Sequence, residues 1–330
     1  MNSKKYLFRN FIILILAILI VIGGFIVIGV IEKNADEKFQ EQVNKYAQSL
    51  EYYEYNGKNY IQDDNLQVIL CVGLDKYDNN IADSYRNDEL ADCIVLLVLD
   101  KTEKTILPIQ INRDIMTNYH VLGIGGKITD DQYGQIALSH TYGSGDIASL
   151  VNVKDAVSDL MCGIKIDYYM SLTMDAVGKI NDRAGGVTVF VEDDFSSIDD
   201  TLIQGQEVTL QGDHALTFVR ARQGLDDPSN INRLKRQRVY LRALYDTCKD
   251  KVDTDEDFVR SSLESVTEYI IANTNIYGLS DIGNTLLDYY LLDAVQLQGT
   301  PTQAEYVEFY VDEDALEELC INTFFKEVQE

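Results

Sequence analysis

IDYYMSLTMDAVGKINDRAGGVTVFV, residues 166–191, holds the change of period that decides the fold. IDYYMSL (166–172) is short and rich in aromatic and aliphatic residues, the signature of a strand. Asp175 is placed to cap a short helix that stops at Gly185-Gly186, after which VTVFVE (187–192) returns to strand. Just upstream, Ile147, Leu150, Val151, Val157, Leu160 and Met161 keep a helical spacing from Asp146 to Met161. Earlier still, LQVILCVGLD (66–75), ADCIVLLVLD (91–100) and KTILPIQINRD (104–114) are apolar, β-branched and bounded by turn residues, and read as core strands. Pro108 lacks a donor for a ladder hydrogen bond, so it belongs at an edge or bulge of the third. Strands alternating with helices predict a mixed α/β fold.

Downstream, Asp213 can cap a helix before FVRAR, and a long helix is expected from about Ser229 to Lys249. The acidic, aromatic remainder suggests helices at 255–272 and 312–320 and a strand in AEYVEFYV (304–311). No linker rich in Pro, Gly or Ser cuts it off, so 65–330 reads as one domain.

The first 64 residues are of another kind. FIILILAILIVIGGFIVIGVI (11–31) carries no charge and, at about 1.5 Å per residue, spans roughly one hydrocarbon core. No A-x-A-like site precedes Glu32, which favours a retained transmembrane anchor over a cleaved signal. Lys4, Lys5 and Arg9 place the tail 1–10 in the cytoplasm and the rest outside. Residues 32–64, with a helical stretch through DEKFQEQVNKYAQSLEYYEY and a turn at Asn56-Gly57, read as a stalk. Removing the three cytoplasmic cations from 28 basic residues leaves 25 against 54 acids, a net −29 outside, which excludes nucleic acid as a partner held by general charge. Five widely spaced cysteines, with no C-x-x-C pair, suggest neither a disulfide framework nor a zinc site. The three histidines show no H-x-x-x-H spacing, and the glycine clusters match no P-loop.

Against this acidity, seven basic residues crowd between Arg220 and Arg242, opposed only by Asp226 and Asp227. Arg233, Arg236, Gln237 and Tyr240 fall at i, i+3, i+4 and i+7 on one face of the long helix. A solvated face paired with acids elsewhere is the ordinary reading of such a helix. In so acidic a chain the concentration points instead to a bound anion. Guanidinium suits a pyrophosphate, because its planar fork donates two parallel hydrogen bonds and keeps its charge. The repelled polyanion must be captured within a Debye length of about 8 to 10 Å, and a divalent metal would help.

FVRARQGLDDPSNINRLKRQR (218–238) resembles the R-x-R...D...R-x-x-R-Q signature of the LytR-CpsA-Psr family. Other pieces follow in the same order: VGLD (72–75), LADCIVLLVLD (90–100), QINRD (110–114), SHTYG (139–143), the strand-helix-strand quoted first, and LQGDHALTFVRAR (210–222). The resemblance implies a twisted mixed β-sheet flanked by helices on both faces, behind the single transmembrane helix. It implies a polyprenyl chain in a hydrophobic groove with its pyrophosphate at the mouth. The implied reaction transfers a glycopolymer from polyprenyl pyrophosphate to a peptidoglycan hydroxyl as a phosphodiester. Asp75 and Asp92 look like the magnesium carboxylates, and Arg113, Arg220, Arg222, Arg233 and Arg236 like pyrophosphate ligands with Gln237 donating beside them. Asp114 looks like an orienting partner of Arg113, and Asp226 or Asp227 like the acceptor of the hydroxyl proton.

The chain also departs from the family pattern. Leu90 stands where arginine is common, with Arg86 nearby, Gln135 replaces a lysine and Ala137 an asparagine, while Asn112 replaces proline and Asn230 aspartate. Losing two cationic contacts would cost about 1.5 to 3 kcal/mol each. A second reading is therefore a non-catalytic binder of polyprenyl lipids. A transcriptional attenuator is disfavoured by the acidic domain behind an anchor.

Overall fold

The computed structural model describes residues 52–76, 86–303 and 305–328. The tail 1–10, the anchor 11–31 and most of the stalk lie outside the described residues. Among those described, no helix is long and apolar enough to cross a membrane. The described residues divide into two units, 52–61 with 327–328 in the first and those between 62 and 326 in the second.

In the first unit the described end of the stalk is a hairpin instead of helix: β1 (Tyr53–Tyr55) pairs antiparallel with β2 (Lys58–Gln62). Asn56 and Gly57 both take positive φ, +50° and +72°, the two-residue turn whose twist matches flanking strands. Lys58 reaches Glu327 at 2.8 Å, and Val328 N–H donates to the Asn59 carbonyl at 2.9 Å.

The second unit is built on a mixed seven-stranded sheet. β3 (Leu66–Lys76), β4 (Glu89–Asp100) and β5 (Thr105–Ile111) form an antiparallel meander, the three strands read from the apolar runs. A separate hairpin, β6 (Met116–Leu122) and β7 (Ile128–Gln135), precedes helix α1 (Ile147–Leu160), which Asp146 caps through the Ala148 amide. β8 (Tyr168–Thr173) then returns parallel to β3. α2 (Asp175–Arg183) and the hairpin β9 (Val187–Phe190) with β10 (Glu207–Leu210) follow, and lead into α3 (Asp213–Arg220). Asp175 and Asp213 stand in first turns, with Met174 and Gly212 at the caps. FVR is thus the last turn of α3 and not a segment after it.

α4 (Asn230–Val252) is the long helix, capped by Ser229. Where one helix was expected over 255–272, α5 (Phe258–Ser265) ends early and β11 (Ile270–Ala272) joins the sheet beside β8. α6 (Ile276–Asp288) is followed by β12 (Tyr290–Leu291) and β13 (Val295–Gln296), both parallel to β5. They pair with 105–106 and 109–110, so Pro108 falls in the interruption between them. A hairpin of β14 (Gly299–Gln303) and β15 (Val307–Val311) and helix α7 (Glu313–Phe324) complete the unit.

Alternation assigns the two faces. Val68, Leu70, Val72 and Leu74 pack with Leu150, Val153 and Val157 of α1. Ile69, Leu99 and Ile106 face Tyr245 of α4 and Ile282 and Leu286 of α6. Helices therefore cover both faces, as the mixed α/β reading requires.

Candidate functional site

One irregularity in the sheet organises the site. The β3–β4 register shifts at Gly73/Leu74: Gly73 opposes Cys93 and Leu74 opposes Ala91, which leaves Asp92 as the extra residue of a bulge. A bulge re-aims a side chain that strict alternation would bury in the core. Asp92 is 1% exposed, and Arg113 and Arg233 converge on it. Arg113 comes from the turn after β5 and binds Oδ1; Arg233 comes from the second turn of α4 and lies 3.5 Å from Oδ2. Asp114 lies against the other side of Arg113, at 3.4 Å from Nε, so the two buried guanidiniums are shared between two buried carboxylates.

Arg233 is held in turn by Asn230, whose Oδ1 accepts from Nη2 at 2.6 Å. Asn230 donates to Asn112 Oδ1 at 2.6 Å, and that same oxygen caps the Asp114 amide at 3.0 Å. The two asparagines that depart from the family pattern are therefore partners across the site. Asp75, at the end of β3, binds Arg220 Nε at 2.9 Å, with the Arg220 side chain half exposed at the end of α3. The bulge thus sets Asp75 and Asp92 on adjoining strands. Among the described residues no three of His, Cys, Asp and Glu come together. Both Asp92 oxygens lie on guanidiniums and one Asp75 oxygen lies on Arg220, so a cation bound here would share these carboxylates with the arginines.

Two predicted ligands are engaged otherwise. Arg236 donates through Nε to the Phe218 carbonyl at 3.0 Å and through Nη2 to the Ala221 carbonyl, and binds Asp193 at 2.6 Å. Two of its nitrogens fasten the end of α3 to α4 and the third holds Asp193, an arrangement that positions Arg220 and Arg222. Gln237 donates to the Val219 carbonyl at 3.3 Å while its Oε1 meets no donor among the described residues. In this orientation it offers an acceptor where a donor was expected.

Asp226 and Asp227 are exposed in the loop before α4. Asp227 caps the Ser229 amide at 2.9 Å, and hydrogen bonds from Ser229 hold its carboxyl below the usual range, which makes it a weak base. Asp114 is opposite in character. It is 6% exposed, and burial pushes its carboxyl above the usual range against the pull of Arg113, Arg233 and Arg222.

Cavities open on two sides of this cluster. An apolar one of about 280 Å³ runs under α4, walled by Cys71, Gly73, Cys93, Met174, Gln237 and Tyr240. It shares Val95, Leu97 and Leu241 with a neighbouring apolar cavity of about 620 Å³ that reaches α6. Burial pushes the thiols of Cys71 and Cys93 up to about 12 and about 11, so the wall stays neutral. On the other side a polar cavity of about 990 Å³ is lined by Arg86, Leu90, Arg113, Asp114, Arg222 and Tyr306 among others. Arg86 and Leu90 do share one space, where Arg86 donates to Thr141 Oγ1 at 3.0 Å and lies 4.5 Å over the Tyr142 ring. The β14–β15 hairpin, which contributes Pro301 to Gln303 and Val307, carried no sequence signal for this role because its residues are polar or exposed.

The profile of the LytR_cpsA_psr family matches residues 27–323. Among similar proteins, Biofilm regulatory protein A of Streptococcus mutans is 27% identical over 238 residues, 68% of this chain and 54% of its own length. The polyisoprenyl-teichoic acid–peptidoglycan teichoic acid transferase TagU of Bacillus subtilis is 29% identical over 177 residues, 53% of this chain and 50% of its own. The chain therefore spans about half the length of these relatives. In fold it resembles Bacillus subtilis TagV, with a TM-score of 0.60 at 20% identity over 79% of this chain and 96% of that one. A structure of TagT bound to LIIa-WTA gives 0.59 at 21% identity, covering 79% and 90%.

Proposed function

The chain belongs to the LytR-CpsA-Psr family, and on that premise we propose that it transfers a glycopolymer from a polyprenyl pyrophosphate carrier to a peptidoglycan hydroxyl. One observation carries the reading: a buried cluster of arginines and carboxylates, Asp92 with Arg113 and Arg233, lies between an apolar cavity and a polar one. A lipid-linked pyrophosphate has that sequence of chemistry, with hydrocarbon, dianion and sugar in a row. The neutral groove under α4 suits the polyprenyl chain. The pyrophosphate would take Arg113 and Arg233 at the bulge and Arg220 and Arg222 from the end of α3, and the glycan would lie in the polar cavity.

Phosphoryl transfer asks the protein for positioning and charge neutralisation more than for covalent chemistry. Arg113 and Arg233 are preset by Asp92 and Asn230, so little side-chain freedom is lost when the anion arrives. Asp75 and Asp92 would hold magnesium, which when bound neutralises further charge on the phosphates. Arg236 keeps α3 and α4 in register. Residues 11–31 would anchor the chain, with the N-terminus cytoplasmic and the domain outside.

The second reading, a lipid binder without turnover, is favoured by Leu90 and Gln135, neutral residues in or beside the cavity where the family often places cations. Binding separates both from unrelated functions. The full chain in detergent should hold a polyprenyl pyrophosphate sugar, and should lose at least tenfold in affinity on Arg233→Ala, or on Val95→Trp, which fills the groove. Equal affinity for a short-chain nucleotide sugar that lacks the lipid would refute the lipid-pyrophosphate assignment.

A further inference from the structure

We propose that Asp114 accepts the proton of the attacking hydroxyl, an assignment that rests on the reading above and adds the group acting on the acceptor side. Its backbone is pinned from two directions: the amide donates to Asn112 Oδ1 at 3.0 Å, and the carbonyl accepts from the Phe309 amide at 2.8 Å. The carboxyl is thereby fixed at the wall of the polar cavity, where Oδ1 lies 3.3 Å from Gln135 Nε2 and 3.4 Å from Arg113 Nε. Arg113 is the bridge. One edge of its guanidinium binds Asp92 and the other faces Asp114, so a phosphorus bound at the bulge and a hydroxyl in the cavity meet beside this carboxylate.

The charged groups around it are Arg113 from the end of β5, Arg222 from the loop after α3 and Arg233 from α4. Gln135 from β7 and the Phe309 amide from β15 complete its surroundings as neutral donors. Burial outweighs the three cations and makes the group more basic than an exposed carboxylate. The exposed Asp226 and Asp227 have neither the burial nor a place among the cavity's lining residues.

In the step assigned to it, the acceptor O–H bond breaks and its proton passes to the Asp114 carboxylate. The freed oxygen forms a bond to the sugar-linked phosphorus. The bridging P–O bond breaks, and its electron pair leaves on polyprenyl phosphate. The proton is then released to water through the open side of the cavity.

The test uses the full chain in detergent micelles, a polyprenyl pyrophosphate disaccharide as donor and a peptidoglycan fragment as acceptor. Asp114→Asn should slow single-turnover transfer about a hundredfold or more while donor affinity stays within twofold. The wild-type rate should rise with pH on its acid side as this carboxyl ionises, that limb should vanish in Asp114→Asn, and Asp114→Glu should restore part of the rate. Transfer by Asp114→Asn at the wild-type rate, or loss of donor binding in step with loss of rate, overturns the proposal. A wild type that binds donor yet never turns it over overturns the ligase reading and this proposal together, whereas an active wild type beside an equally active variant overturns this proposal alone.

Discussion

At the scale of the residue, the site is a set of charges that hold one another in place before any ligand arrives. Asp92 is the clearest case, because a carboxylate 1% exposed is tolerated only with partners. Arg113→Ala should therefore cost about 3 kcal/mol of stability, the lower end for a broken buried pair because Arg233 remains. Urea unfolding would check this, and a loss below 1 kcal/mol would show that the pair is not buried as described. The arginines and both carboxylates were legible from composition and motif. The division of labour among them was not, since Arg236 and Arg233 differ by less than one helical turn, yet one is spent on carbonyls of α3 and the other faces the bulge.

His140 sits outside this cluster and shows the opposite economy. It is fully buried with Nδ1 on the Glu89 carbonyl, and burial pulls its pKa from 6.5 down to about 4. Its neutral form stabilises the fold above pH 6.5, and that contribution is lost as pH falls from 6.5 toward 4, roughly 3 kcal/mol in all. Wild-type unfolding midpoints should drop across that window, and His140→Gln should flatten the drop. An equal slope in both would remove His140 as the cause.

At the scale of the element, the bulge in β3–β4 matters more than any helix. Gly73 permits it: a Cβ there would meet the Cys93 Cβ at 2.9 Å, and neither atom is the end of a flexible side chain. Gly73→Ala should force the strands apart, cost about 1 to 3 kcal/mol and displace Asp92 enough to weaken donor binding. Unchanged stability and binding would show that the register tolerates a methyl group. At the start of α4, Ser229 Oγ accepts from the Asn232 amide at 3.2 Å, and Ser229→Ala should cost about 1 kcal/mol, read as a lowered melting temperature. That helix was legible almost to the residue because its cap and its basic stripe are local signals. β7 and β14 were not, because they are largely exposed and lack apolar alternation, whereas β15 falls within the strand read at 304–311. β11 was hidden for another reason: three half-buried residues joined to the sheet's edge are stabilised by β8, not by their own propensity.

At the scale of the whole molecule, a strongly acidic chain gathers Arg113, Arg220, Arg222 and Arg233 about Asp75, Asp92 and Asp114, with an apolar cavity on one side and a polar one on the other. The −26 net charge repels free polyanions, so selectivity for the proposed lipid-linked donor would come from the groove as well as from the arginines. The sequence showed the basic cluster and the core strands, but a groove wall and a core residue have the same periodicity and are told apart only by the space between them. The most direct test of the central claim is a transfer assay on the full chain, with labelled glycan on polyprenyl pyrophosphate, peptidoglycan as acceptor and magnesium present. The account predicts label joined to peptidoglycan through a phosphodiester, with one polyprenyl monophosphate released per transfer, and loss of both products in Arg220→Ala and Asp75→Ala. Donor held tightly by the wild type with neither product formed would contradict it, and would leave a lipid-binding protein in place of a ligase.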